Sequence, residues 1–286
     1  MGYLFVILGK IFHQTEGVLT RHYSKKYGES GFFFNGVICL FATVFFFLTD
    51  PGGLFFPEKV LAYGVLNIFA IAAGFYAMYR ALQLGSYMLT TMISSFSGVI
   101  VLLYALLYLK EPANAYRYAA ILLSVLSVAI VNMEKKDKEK KAFSPQWLFW
   151  TMVCLVSNGS IGILNREQQI AFQAQCDNEF MILSFGGASV ILILLALLRE
   201  RDKLRATFST SFRYGAAIGL ANGGNNFFGL MSLRYLPITA GAPVGTGVGL
   251  VFSFLISVFI YKEKFTKYQL TGTLCGVAAL LLMTLG

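Results

Sequence analysis

The chain is written in long apolar runs separated by short polar breaks. The runs extend from about Gly2 to Thr20, Gly31 to Leu48, Val60 to Tyr79, Ser86 to Leu109, Ala115 to Asn132, Gln146 to Asn165, Phe180 to Leu198, Tyr214 to Ser232, Ile238 to Tyr261 and Tyr268 to Thr284. An α-helix needs about 20 apolar residues to cross the hydrocarbon core of a bilayer, so the pattern predicts ten transmembrane helices. The breaks carry helix-ending chemistry in Asp50-Pro51-Gly52-Gly53, Lys110-Glu111-Pro112 and Leu236-Pro237, because proline removes a backbone donor and glycine tolerates turns. Only Glu134 to Ser144, Glu167 to Glu179 and Arg199 to Phe212 are long connections, and none has room for a separate soluble domain.

The pattern also repeats. Leu84 to Lys110-Glu111 and Leu236 to Lys262-Glu263 are apolar stretches of equal length ending in the same pair, and a shift of 152 residues superimposes them without a gap. The same shift pairs Ser94 with Thr246, Ser97 with Gly249, Tyr116 with Tyr268 and Leu122 with Leu274. Residues 1–133 and 146–286 therefore read as two copies of a five-helix unit, joined over 134–145 by a charged linker that includes Lys135, Lys136, Lys138, Lys140 and Lys141. With an odd number of spans per copy, the second copy enters the membrane the other way up. Many secondary transporters are built like this, with the solute site near the bilayer midplane at the seam between repeats.

Composition places the chain in lipid: 57% hydrophobic and only 13% charged residues fall far from the charged quarter of a soluble domain. A net charge of +9 would suggest nucleic acid in a soluble protein, but here the basic residues gather on one side of the membrane. The connections after the first, third, fifth, seventh and ninth runs hold three, one, five, five and three Lys or Arg, 17 in all, against five on the opposite side. The bilayer, not nucleic acid, is the expected partner, and the positive-inside rule places both termini outside the cytoplasm of a plasma-membrane protein. Lys10, His13, Gln14 and Glu16 in the first run, and the lack of a small-residue cleavage site, make it a retained helix rather than a secretory signal. Cys39, Cys154 and Cys275 lie in apolar runs and Cys176 in a connection, with neither disulfide nor metal spacing. A metal site on His13 and Glu16 lacks a third ligand, so neither metal nor cofactor is expected.

Polar residues at membrane depth are costly in hydrocarbon and usually face a cavity or a partner helix. Lys10, His13 and Glu16 follow at i, i+3 and i+6, with Gln14 four after Lys10, and read as one stripe on the first helix. The stripe is either a solute site or an internally neutralised Lys10 to Glu16 network that locks the helix in place. Glu16 and His13 are the proton-coupling candidates. The sixth run carries Ser157, Asn158 and Ser160 near its middle and Asn165 to Gln169 at its end, with Arg166 either snorkelling to the interface or serving a pocket. In the eighth run, Asn222, Asn225 and Asn226 offer uncharged donors and acceptors. Small residues line the fourth run at Thr90, Ser94 and Ser97, and the ninth at Gly241, Gly245, Gly249, Ser253 and Ser257. The latter is a ridge for close helix packing, with Thr246 facing the pocket beside it. Tyr63, Tyr76, Phe227 and Phe228 are candidate aromatic walls. The expected solute contacts are Lys10, His13, Gln14, Glu16, Tyr76, Ser94, Asn158, Asn222, Asn225, Asn226 and Thr246.

Ala81-Leu82-Gln83-Leu84-Gly85-Ser86 leading to Leu109-Lys110-Glu111-Pro112, and Leu233-Arg234-Tyr235-Leu236-Pro237 leading to Lys262-Glu263 with Gln269, Gly272 and Gly276 beyond, resemble the EamA type of the drug/metabolite transporter superfamily. The first copy departs from that pattern with Arg117, Ala120 and Ser124. A proline common late in helices 4 and 9 of the family is missing, with Gly98 and Leu250 nearby. The resemblance implies an all-α membrane fold of two inverted five-helix repeats, a cavity walled by helices 1, 3, 4, 6, 8 and 9, and alternating-access transport of a small organic metabolite that it does not identify. It also implies cytoplasmic termini, against the Lys and Arg count, and the count is followed here. The chain has no ATP-binding loop, so the drive is a gradient. Two alternatives stand beside this one. An exporter of lipophilic cations would use Glu16 as the small multidrug-resistance relatives use their helix-1 glutamate, but Lys10 and His13 on the same stripe oppose it. An intramembrane enzyme would need paired groups that the chain does not offer at depth.

Overall fold

The computed structural model describes residues 1–27, 31–49, 56–84, 90, 94, 97–111, 114–132, 144–259 and 267–285. The 134–141 charge run, the Lys262-Glu263 pair and the Thr246 side chain lie outside the described residues. Helices dominate what is described, and no strand occurs among these residues. In chain order the helices are α1 (Gly2–Tyr27), α2 (Gly31–Thr49), α3 (Glu58–Leu84), α4 (Ser97–Leu107), α5 (Ala115–Asn132), α6 (Pro145–Phe172), α7 (Asp177–Arg199), α8 (Arg201–Tyr235), α9 (Ile238–Phe259) and α10 (Lys267–Leu285).

Apolar run and helix coincide at α5 and nearly so at α2 and α10. At α1, α3, α6, α7 and α8 the helix outruns the apolar stretch. α1 continues through Lys26 to Tyr27, α6 through Gln168 and Gln169 to Phe172, and α8 begins at Arg201, so most of the connection expected over Arg199 to Phe212 is helical. Hydropathy marks only the part of a helix at membrane depth, whereas Arg, Lys, Glu and Gln are good helix formers that carry the backbone ladder on into the interface. By length and composition α2, α3, α6 and α7 are each apolar enough to cross a membrane. Phe47, Leu66, Phe69, Val190, Leu194 and Leu197 on three of these helices are exposed, a surface suited to lipid.

α1 packs on α8 and α9, α2 on α7 and α8, α3 on α6 and α7, α4 on α6 and α9, and α5 on α9 and α10. The largest buried cluster joins α2, α3 and α7 through Phe33, Val37, Phe46, Ile71, Phe180, Met181 and Leu192. The α2 to α8 seam is closed by a glycine ridge on α8. A Cβ would stand 2.8 Å from Val37 at Gly215, 2.4 Å from the Ile38 carbonyl at Gly219 and 2.6 Å from the Phe45 ring at Gly223. Three glycines at a spacing of four let the backbones approach closely, a ridge not anticipated on this helix.

The described contacts gather at two ends. At the near end, where the chain begins, Gly2 lies against Tyr235 and Leu236 of the α8 to α9 junction. At the far end Tyr23 stacks on Phe34 at 3.8 Å and shares a 2.8 Å hydrogen bond with Ser211.

Candidate functional site

α1 is wedged between α8 and α9. A Cβ at Gly9 would be 3.5 Å from the Asn225 carbonyl and 3.6 Å from Phe228, and Phe12 lies against Gly224. The α9 contact runs through Val6, Lys10 and Gln14. A Cβ at Gly245 would stand 3.2 Å from Lys10 Cε and 3.9 Å from its Nζ, and one at Gly249 would stand 3.7 Å from Lys10 Cδ. Gln14 Nε2 donates to the Gly249 carbonyl at 3.2 Å.

Glu16 turns the other way. Asn222 Nδ2 donates to both its carboxylate oxygens, at 3.1 and 3.2 Å. Asn226 Nδ2 in turn donates to Asn222 Oδ1 at 3.1 Å and to the Asn222 carbonyl at 2.9 Å. His13 Nδ1 is 3.9 Å from Glu16 Oε2, and its side chain is 54% exposed. The expected single stripe is therefore two faces. Each residue advances about 100° around an α-helix, which puts Gln14 about 40° from Lys10 but Glu16 about 120° away. Lys10 and Gln14 meet α9, Glu16 meets α8, and His13 lies between. The neutralised Lys10 to Glu16 network does not form. Among the described residues Lys10 takes part in no ion pair.

The other expected contacts divide. Asn225 is half-buried beside Gly9, and at Gly229, four residues on, a Cβ would meet nothing within 4 Å, so open space adjoins this part of α8. Asn158 is exposed and donates to Cys154 Sγ at 3.5 Å. Ser94, which is buried, donates to the same sulfur at 3.5 Å. Tyr76 stacks on Phe32 at 4.0 Å and meets Trp150 edge-on, which fixes it in the aromatic packing of α2, α3 and α6, away from α1.

The sequence reading missed a polar closure at the near end. Lys110 adopts a left-handed backbone with φ 51°, and the Glu111 N–H returns to the Ala105 carbonyl at 3.1 Å. This reversal aims Glu111 at the second half of the chain. There it accepts from Arg166 Nη2 at 3.1 Å and from the Thr239 N–H and hydroxyl at 3.0 and 3.2 Å, at the start of α9, where a helix favours an anion. Arg166 also donates to the Leu233 carbonyl at 3.0 Å, so it does not snorkel freely. Beside it, Arg234 pairs with the buried Asp177 at 2.8 Å, and Gln169 donates to Asp177 and to the Leu230 carbonyl, both at 3.0 Å. Tyr104 hydrogen-bonds Glu167. α6 ends in two successive left-handed residues, Gln173 and Ala174, and Arg234 donates to the Ala174 carbonyl at 2.7 Å. A recess of about 680 Å³ lined by Arg166, Gln169, Gln173, Gln175 and Arg234 opens beside these pairs.

At the far end the contacts are of another kind. The Glu200 carboxylate accepts from the backbone N–H groups of Gly31, Phe32 and Phe33 at 3.0 to 3.2 Å, capping the otherwise unsatisfied donors of α2. Trp147 Nε1 donates to Thr90 Oγ1 at 2.9 Å.

Long apolar helices with polar side chains clustered between them define an integral, multi-pass membrane protein. The chain belongs to the EamA-like transporter family, whose model matches residues 1–133 and again residues 145–285. A solved structure described only as "Crystal structure of protein" shares the fold, with a TM-score of 0.74 and 11% identity over 99% of this chain and 96% of its own. No curated protein matches the chain.

Proposed function

We propose that the protein is a secondary transporter that moves a small organic metabolite across the plasma membrane by proton-coupled alternating access. In this reading all ten helices cross the bilayer as two inverted repeats, residues 1–133 and 146–286, joined by the 134–145 linker. The pairing of helices supports it, because exchanging the halves maps several contacts onto one another: α1 on α8 corresponds to α6 on α3, α2 on α8 to α7 on α3, and α1 on α9 to α6 on α4. The solute seat lies around α1, with Lys10, His13, Gln14, Asn225, Asn226 and Asn158 as contacts. The ion pairs of Glu111 with Arg166 and Asp177 with Arg234 form the near-end closure. The charge bias places that end, with both termini, outside the cytoplasm.

The observation that carries the coupling is the Glu16 carboxylate, held on both oxygens by Asn222 beside a half-exposed His13. Glu16 lies about 21 Å along α1 from Gly2, at membrane depth, where an ionisable group marks an ion or solute path. Glu16→Gln or His13→Gln in proteoliposomes should abolish uptake driven by a pH gradient while leaving solute exchange at equal pH intact. Undiminished driven uptake in both variants would reduce the pair to packing.

A further inference from the structure

We propose that the transported solute is an anion and that Lys10 is the group that receives its carboxylate or phosphate, in the slot between α1 and the glycine face of α9. The proposal rests on the transporter reading and names the substrate class of that site. Lys10 stands about 12 Å along α1 from Gly2, within the hydrocarbon core, where a lysine costs several kcal/mol unless an opposite charge meets it.

The neighbouring helices supply none. Glu16 is the only acid on α1, and it faces α8 in the grip of Asn222, with His13 Nδ1 3.9 Å from its carboxylate. α9 contains no Asp or Glu, and the only one on α8 is Asp202, in its first turn at the far end. The fold provides room for the side chain instead of a counter-charge. Gly245 and Gly249 leave the space that Lys10 fills, and Gln14 pins α1 to the Gly249 carbonyl, which fixes the width of the slot. Lys10 is only half-buried, so a ligand can reach it. A cation with no acid in reach among the described residues is matched by a charge that arrives with the solute. Ammonium to carboxylate or phosphate is the strong form of hydrogen bond.

The test uses the full chain, as wild type, Lys10→Arg and Lys10→Met, in phosphatidylcholine vesicles with and without anionic phosphatidylglycerol. The probes are lactate, succinate and glycerol 3-phosphate, with glycerol as the neutral and putrescine as the cationic counterpart. Wild type should take up at least one anion and neither counterpart. Lys10→Met should raise the half-saturating concentration about tenfold to a hundredfold, the loss of one charge-assisted hydrogen bond, while Lys10→Arg, which keeps the charge, should raise it less. Solute-free Lys10→Met should melt no lower than wild type, since it loses an unpaired buried charge. Uptake of glycerol or putrescine that survives Lys10→Met overturns the anion assignment and leaves the transporter reading standing. Lys10-dependent stabilisation by phosphatidylglycerol without anion uptake overturns it in favour of a lipid headgroup. Failure of every probe to move overturns both.

Discussion

Glu111 is a side chain through which the first half of the chain grips the second at the near end, and its removal has a calculable cost. Its carboxylate holds Arg166 at 3.1 Å with side chains 7% and 18% exposed, so solvent screens the pair little. It also accepts two hydrogen bonds from Thr239. Breaking a buried pair by deleting one partner costs on the order of 3–5 kcal/mol. Arg166 keeps the Leu233 carbonyl as a partner and some exposure, which lowers the expectation for Glu111→Ala to about 2–4 kcal/mol. Glu111→Gln retains a neutral acceptor and should cost about half as much. The measurement is a double-mutant cycle of Glu111→Gln with Arg166→Met, each unfolded by sodium dodecyl sulfate titration in mixed micelles. A coupling energy of at least about 1 kcal/mol is expected. Additivity within about 0.5 kcal/mol would show that the two groups do not act together and would remove the near-end closure from the mechanism.

Gly219→Ala places a methyl 2.4 Å from the Ile38 carbonyl and should destabilise by about 1–3 kcal/mol, whereas Gly229→Ala, with nothing within 4 Å, should be neutral or stabilising by up to about 1 kcal/mol; melting curves of the two variants check the α2 to α8 seam. Asn222→Ala strips Glu16 of its donor and should lower solute-free stability by about 1–3 kcal/mol, while Asn225→Ala, beside open space, should keep its melting point and lose response to added solute. Equal behaviour of the two asparagine variants would refute that division. Membrane-impermeant thiol labelling of intact cells should modify a cysteine placed after Gly286 and spare one placed among residues 135–141, and the opposite pattern would refute the outside termini.

Most described helices could be placed from the sequence because hydropathy and helix-ending residues act locally. α5 begins and ends where its apolar run does, and the family model matches the chain once in each half, over residues 1–133 and 145–285. The glycine ridge at Gly215, Gly219 and Gly223 was equally open to reading, since spacing alone encodes it. Other features rested on distance in space. Glu111 was visible as part of a motif, yet what it does depends on Arg166 and Thr239, 55 and 128 residues along the chain. Glu200 caps a helix that begins 169 residues before it. The polar residues of the first helix could be named beforehand, but their division between α8 and α9 followed only from which neighbours pack there. Hydropathy and backbone hydrogen bonding within a helix are decided by residues a turn or two apart. The pairing of a buried charge is decided by whatever the fold brings within about 4 Å, and so Glu16 and Lys10, six residues apart on one helix, meet different fates, one bound by an amide and the other without a counter-charge among the described residues.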